Sequence, residues 1–297
     1  MAKPLVGVIG LGIMGSAMSA NLIRAGYAVV GYDVLEARRR EHRRAGGRVA
    51  LACHDVAELA GIIICSLPSS DALTQTADDL GKMPRAPRVV IDTSTLPVAA
   101  KDDSRRRLAA RGITLLDCPV SGTGSQARAR DIVVYASGDR RAYRKVTRVF
   151  EAIARGHYYV GAFGAGSKIK FVANLLVAIH NVAAAEAMVL AMKAGLDPAT
   201  VAKLVGDGSG SSRMFQVRAP MMAKGRYSPA LMKLDVWQKD MTIIADFARE
   251  HGCPTPLFAT TAPIYTAALA RGRGDDDTGA VCAVLEEMAG IRRKLKG

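Results

Sequence analysis

The turn Gly10-Leu11-Gly12-Ile13-Met14-Gly15 constrains this chain more than any other stretch of its sequence. It ends an apolar, strand-like run, Leu5–Gly10, and opens a helical pattern, Gly15–Ala25. In that setting G-x-G-x-x-G has a physical meaning: the first glycine permits the tight turn, the second lets a pyrophosphate approach the backbone, and the third lets helix and strand pack closely. The phosphates then sit at the positive end of the helix. The next strand-like run, Ala28–Tyr32, is followed by Asp33, an acid placed to accept hydrogen bonds from an adenosine ribose and to repel a 2′-phosphate. Strand, turn, helix and acid together predict a dinucleotide site made by Gly10, Gly12, Ile13, Met14, Gly15 and Asp33. NAD is expected rather than NADP, although Arg38 and Arg39 stand close enough in sequence to accept a phosphate.

The same alternation continues through the first half of the chain. Strand candidates are Gly61–Leu67, Arg88–Asp92, Thr114–Asp117, Ile132–Ser137 and His157–Val160, with helical patterns such as Leu35–Ala45 and Arg140–Ala154 between them. Repeated strand–helix–strand units predict an α/β Rossmann-type domain with a mostly parallel, doubly wound sheet over residues 1–164. After Gly166 only helical patterns follow, broken at Gly195, 206–212, Gly225–Pro229, Gly252–Pro256 and Gly272–Thr278. Residues 165–297 are therefore expected to form an all-α domain for substrate binding and oligomerisation, joined to the first by a long helix. With 297 residues, 49% of them hydrophobic, both domains can bury proper cores.

Two further loops leave the carboxyl ends of predicted strands, where open α/β sheets bind ligands. Leu67-Pro68-Ser69-Ser70 and Asp92-Thr93-Ser94-Thr95 offer hydroxyls and backbone N–H groups, so Leu67, Pro68, Ser94 and Thr95 are candidate cofactor contacts. Helix N-capping is their plainer use. A third loop, Asp117-Cys118-Pro119-Val120-Ser121-Gly122-Thr123-Gly124, is rich in exposed N–H groups and hydroxyls and suits a carboxylate. Ser121, Gly122 and Thr123 are its candidate substrate contacts.

Next comes an apolar helical run, Ser167–Asn181, interrupted by Lys170, Asn174 and Asn181. Lys170 and Asn174 are one turn apart, and Asn181 returns to nearly the same face after about three turns of 3.6 residues. Polar groups on such a helix must be bonded internally or face a wet pocket. A lysine alone here would read as snorkelling at a helix end; a dinucleotide site gives it something to act on. Farther on, Lys239-Asp240 lies in another helical pattern and by itself reads as a surface ion pair.

Taken in order, these motifs resemble the β-hydroxyacid dehydrogenase family, which includes 3-hydroxyisobutyrate dehydrogenase and tartronate semialdehyde reductase, and the resemblance runs nearly end to end. It implies that Lys170 is the catalytic residue, that Asn174 binds substrate, that Ser121 and Gly122 hold the substrate carboxylate, and that Lys239 lies near the nicotinamide. The implied reaction is reversible hydride transfer between NAD(H) and a small 3-hydroxy acid or its semialdehyde, Lys170 taking or giving the hydroxyl proton. A free lysine, with a pKa of about 10.4, is a poor base at neutral pH. Partial burial, the positive end of its helix and the nicotinamide charge are each expected to lower it. Two departures bear on specificity: the family's Ser-Gly-Gly becomes Ser121-Gly122-Thr123, and Arg130 stands where a glycine is common.

Other classes fit less well. Imine reductases share the architecture but usually carry Asp or Tyr in place of the lysine. 6-Phosphogluconate dehydrogenase needs a longer C-terminal domain and phosphate-binding residues, and an NADP-dependent aldehyde reductase of the same fold stays open. A non-catalytic dinucleotide-binding scaffold with a basic surface would leave Lys170 and Asn174 without a purpose. The net charge of +14 comes from arginine clusters at 38–44, 105–107, 271–273 and 292–294, on separate helical patterns and with aromatics at only 5%, which reads as solvated helix faces and not as a nucleic-acid surface. Five scattered cysteines without a C-x-x-C pair read as reduced thiols, and the histidine spacing predicts no metal. No unbroken apolar run approaches the roughly 20 residues of a membrane span, and no signal peptide precedes Leu5, so a cytoplasmic homodimer or homotetramer is expected, with a small-molecule partner and neither nucleic acid nor membrane.

Overall fold

The computed structural model of the chain describes residues 3–82 and 89–293. Arg88 at the start of one expected strand, Lys294 of the last basic cluster and the Met1-Ala2 start of the chain lie outside them. Two compact units meet in sequence between Lys170 and Phe171.

In the first unit, strands β1 (Val6–Ile9), β2 (Val29–Tyr32), β3 (Arg48–Val49), β4 (Ile62–Cys65), β5 (Val89–Asp92) and β6 (Thr114–Asp117) form one parallel sheet in the order β3-β2-β1-β4-β5-β6. Helices α1 (Ile13–Arg24), α2 (Glu36–Arg44), α3 (Cys53–Leu59), α4 (Ser70–Gly81) and α5 (Val98–Ala109) make the crossovers. Alternate strand residues point to opposite faces, and both faces are covered. Val6, Val8, Ile64, Ile91 and Leu116 pack with Met18, Leu22, Val146 and Phe150, while Ile9, Val30, Ile63, Val90 and Leu115 pack with Val56, Leu80 and Leu108. This is why the strands read as continuous apolar runs. The strand order reverses between β1 and β4, which opens a ligand crevice outside the carboxyl ends of the strands.

A smaller sheet follows, of β7 (Val120–Ser121), β8 (Val133–Ala136) and β9 (Gly156–Tyr159), with α6 (Gly124–Arg128) and α7 (Arg140–Ile153) in its connections. β7 runs antiparallel to β8, and β9 parallel to it. β3 and β7, two residues each, were not expected from sequence, because two residues carry no periodicity.

Helix α8 (Ala165–Lys193) crosses the division. In the second unit it is followed by α9 (Pro198–Asp207), α10 (Arg213–Lys224), α11 (Leu234–Glu250), α12 (Pro256–Ala270), a 3₁₀ turn at Thr278–Ala280 and α13 (Val281–Met288), with breaks at the glycine- and proline-rich stretches. Its core holds charge: Arg218 Nε lies 3.0 Å from both Asp277 Oδ1 and Thr278 Oγ1, and Asp277 Oδ2 accepts the backbone N–H groups of Leu231 and Met232.

Two sequence expectations need amending. Helix α8 is long and apolar enough by composition to cross a membrane, with a mean hydropathy of 1.8 over its best 18-residue window, 44% of which is buried. A search for unbroken apolar runs misses it because the interspersed polar residues split the run without lowering the average much. Those polar residues argue for a core helix: Asn174 is bonded to Asp240, and Asn181 donates to Tyr265 and Thr278, all within the second unit. Nor are all the arginine clusters solvated faces. Arg105, Arg106 and Arg107 do pair with Asp102, Asp103 and Asp78 at the surface, but Arg293 lies beyond α13, mostly buried, against Glu286 and the carbonyls of Met222 and Ala223. Among the cysteines Cys253 is exposed; the other four are buried, and burial pushes the thiols of Cys53 and Cys282 up to about 12.

Candidate active site

The dinucleotide turn is shaped by close approach. Gly10 has φ +88°, and a Cβ there would lie 2.2 Å from the Ser66 carbonyl oxygen; a Cβ on Gly15 would lie 1.8 Å from the Gly10 oxygen. Gly12 differs, since a Cβ there would meet only the Arg38 guanidinium at 3.6 Å or beyond. The space over Gly12 is thus open where a pyrophosphate would need it. Gly12 is also the N-cap of α1 and supplies no side-chain acceptor, leaving the first-turn N–H groups to an anion. These features fit a dinucleotide.

Asp33 follows β2 and is buried. Its Oδ2 accepts Leu11 N at 2.8 Å and Oδ1 accepts Leu35 N at 2.9 Å, so the carboxylate holds the turn as well as facing it. Arg38 Nη1 stands 3.2 Å from Oδ2, and Arg39 donates to the Asp33 carbonyl. The loops after β4 and β5 are tied together: Leu67 N donates to Ser94 Oγ at 2.8 Å, and Ser94 Oγ donates to Asp92 Oδ1 at 2.6 Å. Pro68 is exposed and Thr95 half-buried beside them. Gly10, Asp33, Leu67, Ser94 and Asp117 all stand at or just past the carboxyl ends of parallel strands, on one edge of the sheet.

Ser121 ends β7, paired with Val133. Gly122 has φ +138°, a left-handed conformation that a side chain would resist. Thr123 is the N-cap of α6 in a capping box: its Oγ1 accepts Gln126 N, and Gln126 Oε1 accepts Thr123 N at 2.9 Å. Its hydroxyl is therefore engaged within the loop. The loop lies against the dinucleotide turn, since a Cβ on Gly124 would fall 2.3 Å from Ile13 Cγ2. Arg130, with φ +62°, lines an open groove with Asn21, Arg24, Asp131 and Arg155; Ser121 is not part of that lining.

Helix α8 begins in a pinned first turn. Ser167 N and Oγ donate to Asp117 Oδ2 and Oδ1 at 2.8 and 2.7 Å, and Gly166 N donates to Ser137 Oγ at 3.0 Å. A Cβ on Gly166 would sit 2.3 Å from the Tyr135 carbonyl oxygen. The end of β6 thus fixes the turn that leads to Lys170, three residues on and half-buried. Asn174, one turn later, belongs to the second unit, as does Lys239. There Asn174 Nδ2 donates to Asp240 Oδ2 at 2.8 Å, and Lys239 Nζ lies 3.3 Å from Asp240 Oδ1. The Lys-Asp pair that reads from sequence as a surface couple has its carboxylate buried and in use.

Sequence reasoning missed Lys101, Asp92 and Ser167. Two strands ending in Asp at the same edge are a visible signal, but Lys101 sits in α5 among ordinary surface charges and gives none. Burial alone would depress its amine; Asp92 and Asp117 outweigh that and hold it above its usual value. Burial would likewise raise Asp117, but Lys101 and Ser167 hold it below the usual carboxylate range.

Comparison with known proteins agrees with this fold. Residues 5–161 match the NAD binding domain of 6-phosphogluconate dehydrogenase, and residues 164–285 match the NAD-binding domain of NADP-dependent 3-hydroxyisobutyrate dehydrogenase. An L-threonate dehydrogenase of Cupriavidus necator is 34% identical over 94% of this chain and 95% of its own. The crystal structure of a 3-hydroxyisobutyrate dehydrogenase from Salmonella typhimurium superposes with a TM-score of 0.86 at 29% identity, covering 95% of this chain and all of that one. An imine reductase from Pseudomonas sp., at 19% identity and a TM-score of 0.61 over 95% of this chain and 99% of its own, shares the fold alone. The fold and these relatives define a nicotinamide-dependent oxidoreductase acting on a CH–OH group. Within that class, the chain belongs to the β-hydroxyacid dehydrogenase family.

Proposed function

We propose that this protein interconverts a small 3-hydroxy acid and its semialdehyde with NAD as the preferred coenzyme and Lys170 as the proton carrier. The observation that carries the reading is the pinning of the first turn of α8 to Asp117, on the sheet edge from which the dinucleotide turn also rises. The dinucleotide, when bound, supplies the hydride chemistry. Lys170 accepts the hydroxyl proton as the alcohol is oxidised, and in the other direction its ammonium polarises the carbonyl and returns the proton. Ser121, Gly122 and the backbone at Thr123 receive the carboxylate. Asn174, oriented by Asp240, binds the substrate hydroxyl, and Lys239 lies by the nicotinamide. Residues 1–164 are the dinucleotide-binding domain and 165–297 the substrate and oligomerisation domain of a cytoplasmic homodimer or homotetramer whose size sedimentation velocity reads.

NAD preference is supported by the Asp33 carboxylate at the end of β2; Arg38, beside both Asp33 and Gly12, keeps NADP as the second reading. The test of the chemistry is Lys170→Ala. It should lower kcat by about 10²–10⁴-fold while NADH binding, read by fluorescence, stays intact; a variant with wild-type kcat would refute the assignment. Assay against 3-hydroxyisobutyrate, L-threonate and related hydroxy acids identifies the substrate.

A further inference from the structure

Lys101 is wholly buried, which a lysine tolerates only when its charge is matched. Its Nζ lies 2.8 Å from Asp117 Oδ1, 2.9 Å from Asp92 Oδ2 and 2.6 Å from the Ser94 carbonyl oxygen. The ammonium thus donates to Asp117 and to the Ser94 carbonyl and pairs by charge with Asp92. Each of those partners is committed a second time. Through Ser94 Oγ, Asp92 reaches Leu67 N and so fixes the loops after β4 and β5. Asp117 accepts Ser137 Oγ at 3.0 Å, and through Ser137 and Ser167 it fixes the first turn of α8.

We infer that Lys101 is a positioning residue: one buried ammonium locks the two candidate coenzyme loops and the base of the Lys170 helix into a single frame. The loops after β4 and β5 and the start of α8 come from separate stretches of chain, and each alone is a loop or helix end free to shift. The Asp92–Lys101–Asp117 cluster removes that freedom without touching substrate or coenzyme. A displacement near 1 Å at either end is enough to cost roughly 100-fold in rate, so the cluster acts on turnover and on coenzyme affinity from different ends.

The inference rests on the reading of Lys170 as proton carrier, and the test separates the two. Lys101→Met, Ser167→Ala and Ser167→Thr are compared by far-UV circular dichroism, by NADH fluorescence titration and by turnover of the most active hydroxy acid in the panel. Lys101→Met should weaken NADH binding about tenfold and lower kcat by roughly 10- to 100-fold. Ser167→Ala should lower kcat about tenfold with NADH affinity unchanged, and Ser167→Thr, which restores the hydroxyl, should recover most of it. A general loosening of the fold would not give this split. A folded Lys101→Met with unchanged NADH affinity and kcat overturns the inference; if that variant does not fold, wild-type kcat in Ser167→Ala overturns it instead. An active Lys170→Ala removes the reading of the chemistry, whereas an inactive Lys170→Ala beside a fully active Ser167→Ala removes only the positioning role.

Discussion

Asp33 carries two duties with one carboxylate. It receives the backbone N–H groups of Leu11 and Leu35, which shape the turn and the start of α2, and in the proposed reading the same oxygens meet a ribose. The proposed ribose contact is read from sequence alone, from an acid after the second strand of a βαβ unit; the backbone bonds needed coordinates. Arg38 complicates coenzyme choice, because its guanidinium at 3.2 Å partly neutralises the charge that would repel a 2′-phosphate. Asp33→Ala should therefore cost NAD about 1.5–3 kcal/mol, the loss of hydrogen bonds to a charged group, and cost NADP less, with Arg38 released to meet the phosphate. The ratio of kcat/KM for the two coenzymes reads this directly, and an unmoved ratio would count against the ribose assignment. Asn174 shows the opposite limit. Its place on the helix face was readable, but its partner Asp240 lies 66 positions away and follows from no local pattern.

At the scale of elements, the first turn of α8 is the place where local sequence and tertiary structure meet. Gly164 and Gly166 mark a turn in any reading of the sequence, yet the reason for Gly166 is a backbone contact with Tyr135 and Asp117. Gly166→Ala would put a methyl group 2.3 Å from one carbonyl oxygen and 2.9 Å from another, neither of which can rotate away. Overpacking of this kind costs about 1–3 kcal/mol, and here the strain falls on the turn that sets Lys170. The expected outcome is a folded protein with a lower melting temperature and a kcat reduced more than NADH affinity; equal loss in both would place the effect elsewhere. Long strands and helices were legible because both faces of the sheet are buried and the helices are punctuated by glycine and proline. β3 and β7 were not, since neighbouring strands and not their own residues define them.

For the molecule as a whole, stability is tied to charge that has been taken out of water. Asp117 is held below its usual value by Lys101 and Ser167 in spite of burial. A carboxylate depressed in this way contributes stability above its unfolded pKa of about 3.9, and the contribution is lost as pH falls through the lower folded value. Lys101 is raised, so its contribution is complete below about 10.4 and fades only as pH climbs through a still higher folded value. The advantage of wild type over Asp117→Asn should accordingly be about 3–5 kcal/mol at neutral pH, the cost of breaking a buried pair, and should shrink in acid below roughly pH 4. Urea midpoints measured across pH, with m-values compared to confirm that the same unit unfolds, decide the matter; a difference that persists unchanged into acid would show that Asp117 is not charged in the folded protein.

The amino-acid sequence by itself determined the alternation of strand and helix, the dinucleotide turn with the acid after the next strand, the all-helical second half and the place of Lys170 at the start of a long helix. These are local facts: periodicity of two and 3.6, glycines where the backbone must bend or approach, an acid at a fixed distance from a turn. Only the tertiary structure decided that Lys101 is buried between two aspartates, that Thr123 caps a helix, that Arg293 holds the last described stretch of chain, and that α8 is a helix with internally bonded asparagines. Each of these depends on which distant residue arrives to satisfy a polar group, and a charged or amide side chain looks the same in sequence whether water or a buried partner meets it.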